Sequence, residues 1–290
     1  MTMLDQLHQA CRRLLEEGTV KVVIGYAQSA PDEPAFPVFI SDVADVGQLV
    51  WNSWCTTNLT KYLLRKEIQA LGKPAIIVKG CDERALVVLE RESQIDRTQM
   101  VVIGMACPGM GQPPQAVCAT CEVRLPRFCD ITIGENGDAP PAAEKTVPSA
   151  AAPRYAELEA FLQKSPAERM AYWREELSRC VKCYACRQAC PLCYCTRCIV
   201  DKNRPTSIDT SATLKGNFAW HITRAFHLAG RCVGCDQCTR ACPAGIDLRL
   251  LNLSMAKAAE EQFAYRAGMD REAEPIIGSY SQQDHESFIR

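Results

Sequence analysis

The chain has 290 residues, 47% of them hydrophobic, a formal net charge of −1 and 18 cysteines. That length suits two domains of ordinary size, each with a real core. The balanced charge gives no bulk drive towards nucleic acid or an anionic membrane. No stretch approaches ~18 consecutive apolar residues, so no transmembrane helix is expected. The opening MTMLDQLHQACRRLLEEG carries Asp5, Glu16 and Glu17 in place of the apolar run of a signal peptide. A cytoplasmic location is therefore expected, and there so many thiols point to metal ligation or redox chemistry rather than to a disulfide framework.

In chain order, Leu4, Leu7, Cys11, Leu14 and Leu15 fall at helical spacing, which predicts an amphipathic N-terminal helix. VKVVIGY at 20–26 and FPVFI predict two strands, and a helical stretch is expected over 46–71. PAIIVKG reads as a buried strand, CDERALVVLERE behind it as a helix, QMVVIGM as a strand ending at ACPGMG, and DITIG at 130–134 as the last strand. Strands alternating with helices predict an α/β domain with a mainly parallel sheet. ENGDAPPAAEKTVPSAAAP, rich in Ala and Pro and without periodicity, reads as a linker. In SPAER, Ser165 is a candidate N-cap, Pro166 suits the first helical position, and Glu168 completes a capping box. A terminal helix is expected in DLRLLNLSMAKAAEEQFAYRAG. The domain boundaries expected are 1–135, a linker at 136–153, a cysteine-rich domain with flanking helices at 154–266, and a loose tail at 267–290.

Seven cysteines fall between Cys180 and Cys198, in two rhythms. The first is Cys180-x2-Cys183-x2-Cys186-x3-Cys190-Pro191, and it repeats as Cys232-x2-Cys235-x2-Cys238-x3-Cys242-Pro243. This is the bacterial ferredoxin spacing for a [4Fe–4S] cubane, whose fourth cysteine ligates the other cluster. A loop with thiols every three residues wraps three corners of a cube while its amides point at the sulfurs. One cubane is then expected on Cys180, Cys183, Cys186 and Cys242, and a second on Cys232, Cys235, Cys238 and Cys190. Zinc is the rival for any CxxC pair, but each repeat offers a third closely spaced thiol and a Cys-Pro beyond what zinc needs. The expected second domain is a small α+β bacterial 2[4Fe–4S] ferredoxin-like domain with flanking helices. Arg179, Lys182, Arg187, Arg197, Lys202 and Arg204 lie near the first motif. They either stabilise the more negative reduced cluster or form a basic face for an acidic partner.

The second rhythm is the remainder, Cys193, Cys195 and Cys198. These three thiols are one short of a cubane and either contribute to an additional metal centre or sit as small buried residues. In the N-terminal domain, Cys81 and Cys107 follow strands, and Cys118 and Cys121 form a CxxC beyond a Pro-Pro turn. The carboxyl ends of strands are where open α/β sheets gather ligands, and a helix N-terminus depresses a thiol pKa. These four could hold a third [4Fe–4S] cluster, with Cys55 and Cys129 as possible substitutes, while Cys11 reads as helix packing. The turn with Gly104, Gly109 and Gly111 is not a GxGxxG fingerprint, since Pro113 and Pro114 stand where a phosphate-binding helix would begin. No Ser/His/Asp constellation is visible, no catalytic residue is expected, and His221 and His227 read as surface or packing residues.

GKPAIIVKGCDERAL, IDRTQMVVIGMACPGM and CATCEVRLPRFCDITIGE resemble the coenzyme F-420 hydrogenase/dehydrogenase beta-subunit family over about 20–135. The C-terminal RCVKCYACRQACPLCYC and AGRCVGCDQCTRACPAGIDL resemble the dicluster part of bacterial formate dehydrogenase beta subunits. By position, the resemblance implies that Cys81, Cys107, Cys118 and Cys121 are cluster ligands. It also implies FAD, but the chain departs from the family there: its domain is shorter, the flavin-contacting second half is missing or replaced, and the ferredoxin unit follows instead of leading. The function it implies is relay of single electrons between a flavin, deazaflavin or nicotinamide-linked centre and a partner oxidoreductase. That partner would be a flavoprotein, a formate dehydrogenase, a hydrogenase or a heterodisulfide-reductase-like subunit. The alternative is an FAD-containing reductase subunit that itself oxidises a reduced cofactor and passes electrons to its clusters.

Overall fold

The computed structural model describes residues 1–134, 154–201, 205–206, 208–209 and 211–278. The expected linker at 136–153, the tail beyond 278, Lys202 and Arg204 lie outside the described residues. Helix α1 (Met3–Glu16) opens on a capping box between Thr2 and Asp5 and buries Leu7, Cys11 and Leu14, the face its periodicity predicts. Strands β1 (Val22–Ala27), β2 (Phe36–Ile40), β3 (Pro74–Val78), β4 (Val101–Met105) and β5 (Ile131–Ile133) form one sheet in the order β2-β1-β3-β4-β5. β1 pairs antiparallel with β2, and β1, β3, β4 and β5 run parallel. Every residue of β1 and β4 is buried, as expected where a parallel sheet is covered on both faces.

The helix expected over 46–71 does not form. Two 3₁₀ turns, Val43–Gln48 and Leu59–Tyr62, and the four-residue α2 (Lys66–Gln69) stand there. Asp42 and Asn58 each cap a turn through the side chain, and such short polar side chains compete with helix propagation. Helix α3 (Gly80–Arg91) follows β3 directly. The segment after β4 carries the single-turn α4 (Ala116–Ala119).

The C-terminal half consists of α5 (Ala156–Leu162), α6 (Pro166–Ser178), α7 (Ala185–Ala189), α8 (Leu214–His227), α9 (Gln237–Arg240) and α10 (Arg249–Phe263). Helix α6 has the capping box of Ser165 and Glu168 with Pro166 inside it. Among the described residues this half has no sheet strand, which corrects the α+β expectation for the ferredoxin-like domain. Irregular loops and the short α7 and α9 stand at its motifs instead. The chain thus combines a mixed α/β half, built on a five-stranded and mostly parallel sheet, with a cysteine-rich helical half.

The two halves are clamped together. Gln237 Nε2 and an Arg240 terminal nitrogen donate to the Thr56 carbonyl at 2.7 and 2.9 Å. Tyr194 OH donates to Glu92 at 2.7 Å, and Arg231 pairs with the same carboxylate at 2.5 Å. The segment after α10, expected as a loose tail from 267, packs as far as its described residues run. Tyr265 and Ala267 are buried, Arg84 donates twice to the Ala267 carbonyl at 3.1 and 2.8 Å, and Arg271 pairs with Glu90. Polar composition suggested looseness; α3 supplies the partners that order it.

Candidate iron–sulfur site

The two cysteine repeats fold alike. In the first loop Lys182 and Tyr184 lie in the left-handed region, at φ +57° and +59°. At the matching places of the second loop stand Gly234 and Asp236, at +72° and +57°. Non-glycine residues take this conformation at a cost of ~1–2 kcal/mol each, and such strain persists where the surroundings fix it and collects at functional sites. The paired twists curl each loop around its thiols. The amides of Gly234 and Gln237 point at the sulfurs of Cys232 and Cys235, and that of Arg187 at Cys186. Helices α7 and α9 continue the two loops in the same way.

Around one cavity the structure places Cys180, Cys183, Cys186 and Cys242. A second cavity is lined by Cys190, Cys232, Cys235 and Cys238. Each cage thus takes three thiols from one repeat and the fourth from the other. Among the described residues no three or more His, Cys, Asp or Glu side chains converge on a single-ion position. A tetrahedral zinc needs its sulfurs at about 2.3 Å, whereas a cubane holds its thiolates apart at separate corners. Four-thiol cages of this kind fit the cluster better than the ion.

A third cavity opens at the carboxyl ends of β3 and β4, lined by Cys81, Cys107, Cys118 and Cys121. Gly80 lets this happen: a Cβ there would stand 1.9 Å from the Val123 carbonyl oxygen, so bare backbone brings the start of α3 against the Cys118–Cys121 loop. Arg124 ties that loop together, donating to the Pro108 carbonyl at 2.7 Å and the Cys118 carbonyl at 2.6 Å. The lining carries Lys79, Arg84, Arg124, Arg154, Arg240 and Arg249 against the single carboxylate Glu122. Such a cationic enclosure suits an anionic occupant, as a thiolate-ligated cluster is. Cys235 lines this cavity as well as the second one.

Cys55 and Cys129, the possible substitutes, do not line the third cavity. Cys55 is fully buried, with its thiol pushed up to about 11 by burial, and Cys129 donates to Glu83 Oε1 at 3.4 Å. Cys11 packs in the core beneath α1, its thiol pushed up to about 12 by burial. The expectation that a helix N-terminus depresses the Cys81 pKa fails. Burial, and after it the Asp82 carboxylate, hold that thiol well above its ordinary value. Behind it, Lys79 and Asp82 form a buried pair at 2.8 Å, and Lys79 Nζ also donates to Tyr26 OH at 2.5 Å and the Thr57 carbonyl at 2.8 Å. Burial alone would lower Lys79, but Asp82 and Tyr26 outweigh it and keep the ammonium well above its usual range.

The three surplus thiols do not come together. Cys193 packs against the same apolar cluster as Cys190, Cys232 and Cys235, Cys198 against the same cluster as Cys180 and Cys242, and Cys195 is exposed. A hydrogen bond with Cys190 and, after it, the Arg224 charge hold Cys193 down to about 7 against its burial. Three polar residues on α8 escaped the sequence reading. Asn217 donates to the carbonyls of Leu177 and Cys180 at 2.9 and 2.8 Å. His221, read as a surface or packing residue, is buried with its Nε2 3.3 Å from Cys180 Sγ. Burial lowers its pKa to about 3. Arg224 is buried and donates to the Cys186 carbonyl at 3.3 Å. Their 4- and 3-residue spacing puts them on one helix face, which was the available signal. His227 is exposed. The glycine turn adopts positive φ at Gly109 and Gly111 and leads into the single turn α4 instead of a phosphate-binding helix.

Residues 179–247 match the family model of the 4Fe-4S dicluster domain. Over 91% of its length the chain is 22% identical to the F420-dependent formate dehydrogenase subunit beta of Methanocaldococcus jannaschii, covering 91% of that protein. It is also 22% identical to the F420-dependent formate dehydrogenase 1 subunit beta of Methanococcus maripaludis, over 91% of this chain and 90% of that one. The first alignment runs over 360 positions against 290 residues here, so that relative holds stretches this chain lacks. Residues 179–247 thus form an iron–sulfur dicluster domain, and over 91% of its length the chain is similar to beta subunits of F420-dependent formate dehydrogenases, as the resemblance in its sequence implies.

Proposed function

We propose that the chain is an electron-transfer subunit in which three thiol cages hold three [4Fe–4S] clusters in series. Cys180, Cys183, Cys186 and Cys242 would hold the first; Cys232, Cys235, Cys238 and Cys190 the second; and Cys81, Cys107, Cys118 and Cys121 the third. The observation that carries this reading is the sharing of Cys235 between the second and third cavities, while Cys183 is exposed at the first. One end of the row lies at the carboxyl edge of the sheet and the other at the surface. When bound, such clusters supply one-electron transfer. The chain's own residues exclude water, present amides to the sulfurs and offset thiolate charge with buried cations. Relatives named as beta subunits support assembly with other oxidoreductase subunits. A formate dehydrogenase fits best, with a deazaflavin, flavin or nicotinamide-linked centre at the other end of the path.

The test is composition together with transfer. Protein purified without oxygen is assayed for iron, acid-labile sulfide, zinc and flavin per chain. About twelve irons without flavin is the expected result. About eight would leave the third cavity as a docking feature. Stoichiometric flavin with reductase activity towards a deazaflavin or nicotinamide would make the chain the two-to-one electron switch of the alternative reading.

A further inference from the structure

We infer that α8 sets the reduction potentials of the two centres in the dicluster domain, with Arg224 raising both and His221 raising the first alone. The inference rests on the cluster reading above and goes beyond it, because neither residue belongs to a cysteine motif. Arg224 is only 6% exposed and lines the second cavity. Its guanidinium also donates to the carbonyl of Cys186, a first-cage cysteine, at 3.3 Å, so it touches both cages. Its Nε has no hydrogen-bond partner among the described residues. A guanidinium stays charged at any working pH. Placed between two anionic centres, it stabilises the extra negative charge that reduction adds to either one. One turn earlier on the same face, the His221 Nε2 lies 3.3 Å from Cys180 Sγ, a first-cage sulfur, and a hydrogen bond to a ligand sulfur shifts potential in the same direction. Asn252 makes the matching contact in the second cage, 3.3 Å from Cys238 Sγ. Each cage thus has a side-chain hydrogen bond to one of its sulfurs, and Arg224 reaches both.

The experiment is a potentiometric titration of the anaerobically purified full chain followed by electron paramagnetic resonance, with iron counted in each sample. The Cys183→Ser protein assigns the first centre. Arg224→Gln should make reduction of both centres at least tenfold less favourable, a fall of about 59 mV for one electron, while iron is retained. Arg224→Lys should recover most of the shift. His221→Phe should lower the first centre several-fold and leave the second unmoved. Unchanged potentials in an Arg224→Gln protein with full iron would overturn the inference. So would loss of iron in Arg224→Gln that Arg224→Lys restores, because the cation would then be needed for assembly. Fewer than about eight irons in the unaltered chain would count against the clusters themselves and take this inference down with them.

Discussion

The two cysteine repeats share a backbone and differ in their surroundings. Both loops carry left-handed residues at the same two places, and each lends its last cysteine to the other's cage. The first repeat faces outward, with Cys183 and Val181 exposed. The second is pressed against the α/β half, where Gln237 and Arg240 grip Thr56 and Cys235 lines the third cavity. On the reading proposed above, the loop would specify what is held and its neighbours the place of that centre in a path: the surface repeat would meet a partner, and the buried repeat would pass charge inside the molecule.

The sharpest way to break this comparison is to remove one ligand from each repeat. Cys183→Ser should convert or abolish the first centre and stop partner reduction, while the second and third centres still fill from the other side. Cys235→Ser should separate the first centre from the third as well, so that reductant supplied at one end no longer reaches the other. Stopped-flow reduction with low-temperature spectra would read this as a loss of orders of magnitude in transfer rate. Equal spectra and rates in the two variants would mean that the repeats are interchangeable and that surroundings do not set the order.

A second test strikes at the support of the third cavity. Lys79 and Asp82 are buried, at 2% and 0% side-chain exposure, and bonded at 2.8 Å. Removing one partner strands a buried charge and costs ~3–5 kcal/mol. Lys79→Met should therefore lower the melting temperature by roughly 10 °C, taking ~2–4 °C per kcal/mol for larger domains. Pairing it with Asp82→Leu should recover much of the loss, since replacing both members of a buried pair by apolar groups is often neutral. A single variant as stable as the unaltered chain would show that the pair does not support this edge of the sheet.

These tests also separate what was legible in the sequence from what was not. The strands and α3 could be read because their apolar runs are long and end in clear breaks, and α6 announced itself by Ser165, Pro166 and Glu168. The cysteine repeats were legible because their spacing is itself geometry. The 46–71 stretch misled because its apolar residues mimic a helix, whereas Asp42 and Asn58 cap short turns. Arg224 and His221 were hidden for another reason. They reach the cages only through the docking of α8, a tertiary event with no local signature beyond a polar stripe on a helix that should have been apolar there. The order of the segment after α10 was hidden likewise, since its partners, Arg84 and Glu90, lie on α3, far away in sequence.

The smallest effect sharpens the likeness of the two loops. Gly234 stands where the first loop has Lys182, and both adopt the left-handed conformation. A Cβ at Gly234 would meet nothing within 4 Å, and Lys182 shows that a side chain is tolerated at this place in a four-thiol loop. Gly234→Ala should therefore leave iron content unchanged and cost only the backbone term of ~1–2 kcal/mol, reduced by the lower entropy of the unfolded alanine chain. Thermal unfolding should show a fall of a few degrees with unaltered cluster spectra. Loss of the second centre in this variant would mean that the two loops are alike in backbone alone, and that the second loop needs glycine once its cage is filled. That outcome would place the difference between the repeats inside the cages themselves, and the surroundings would then follow from the loops instead of distinguishing them.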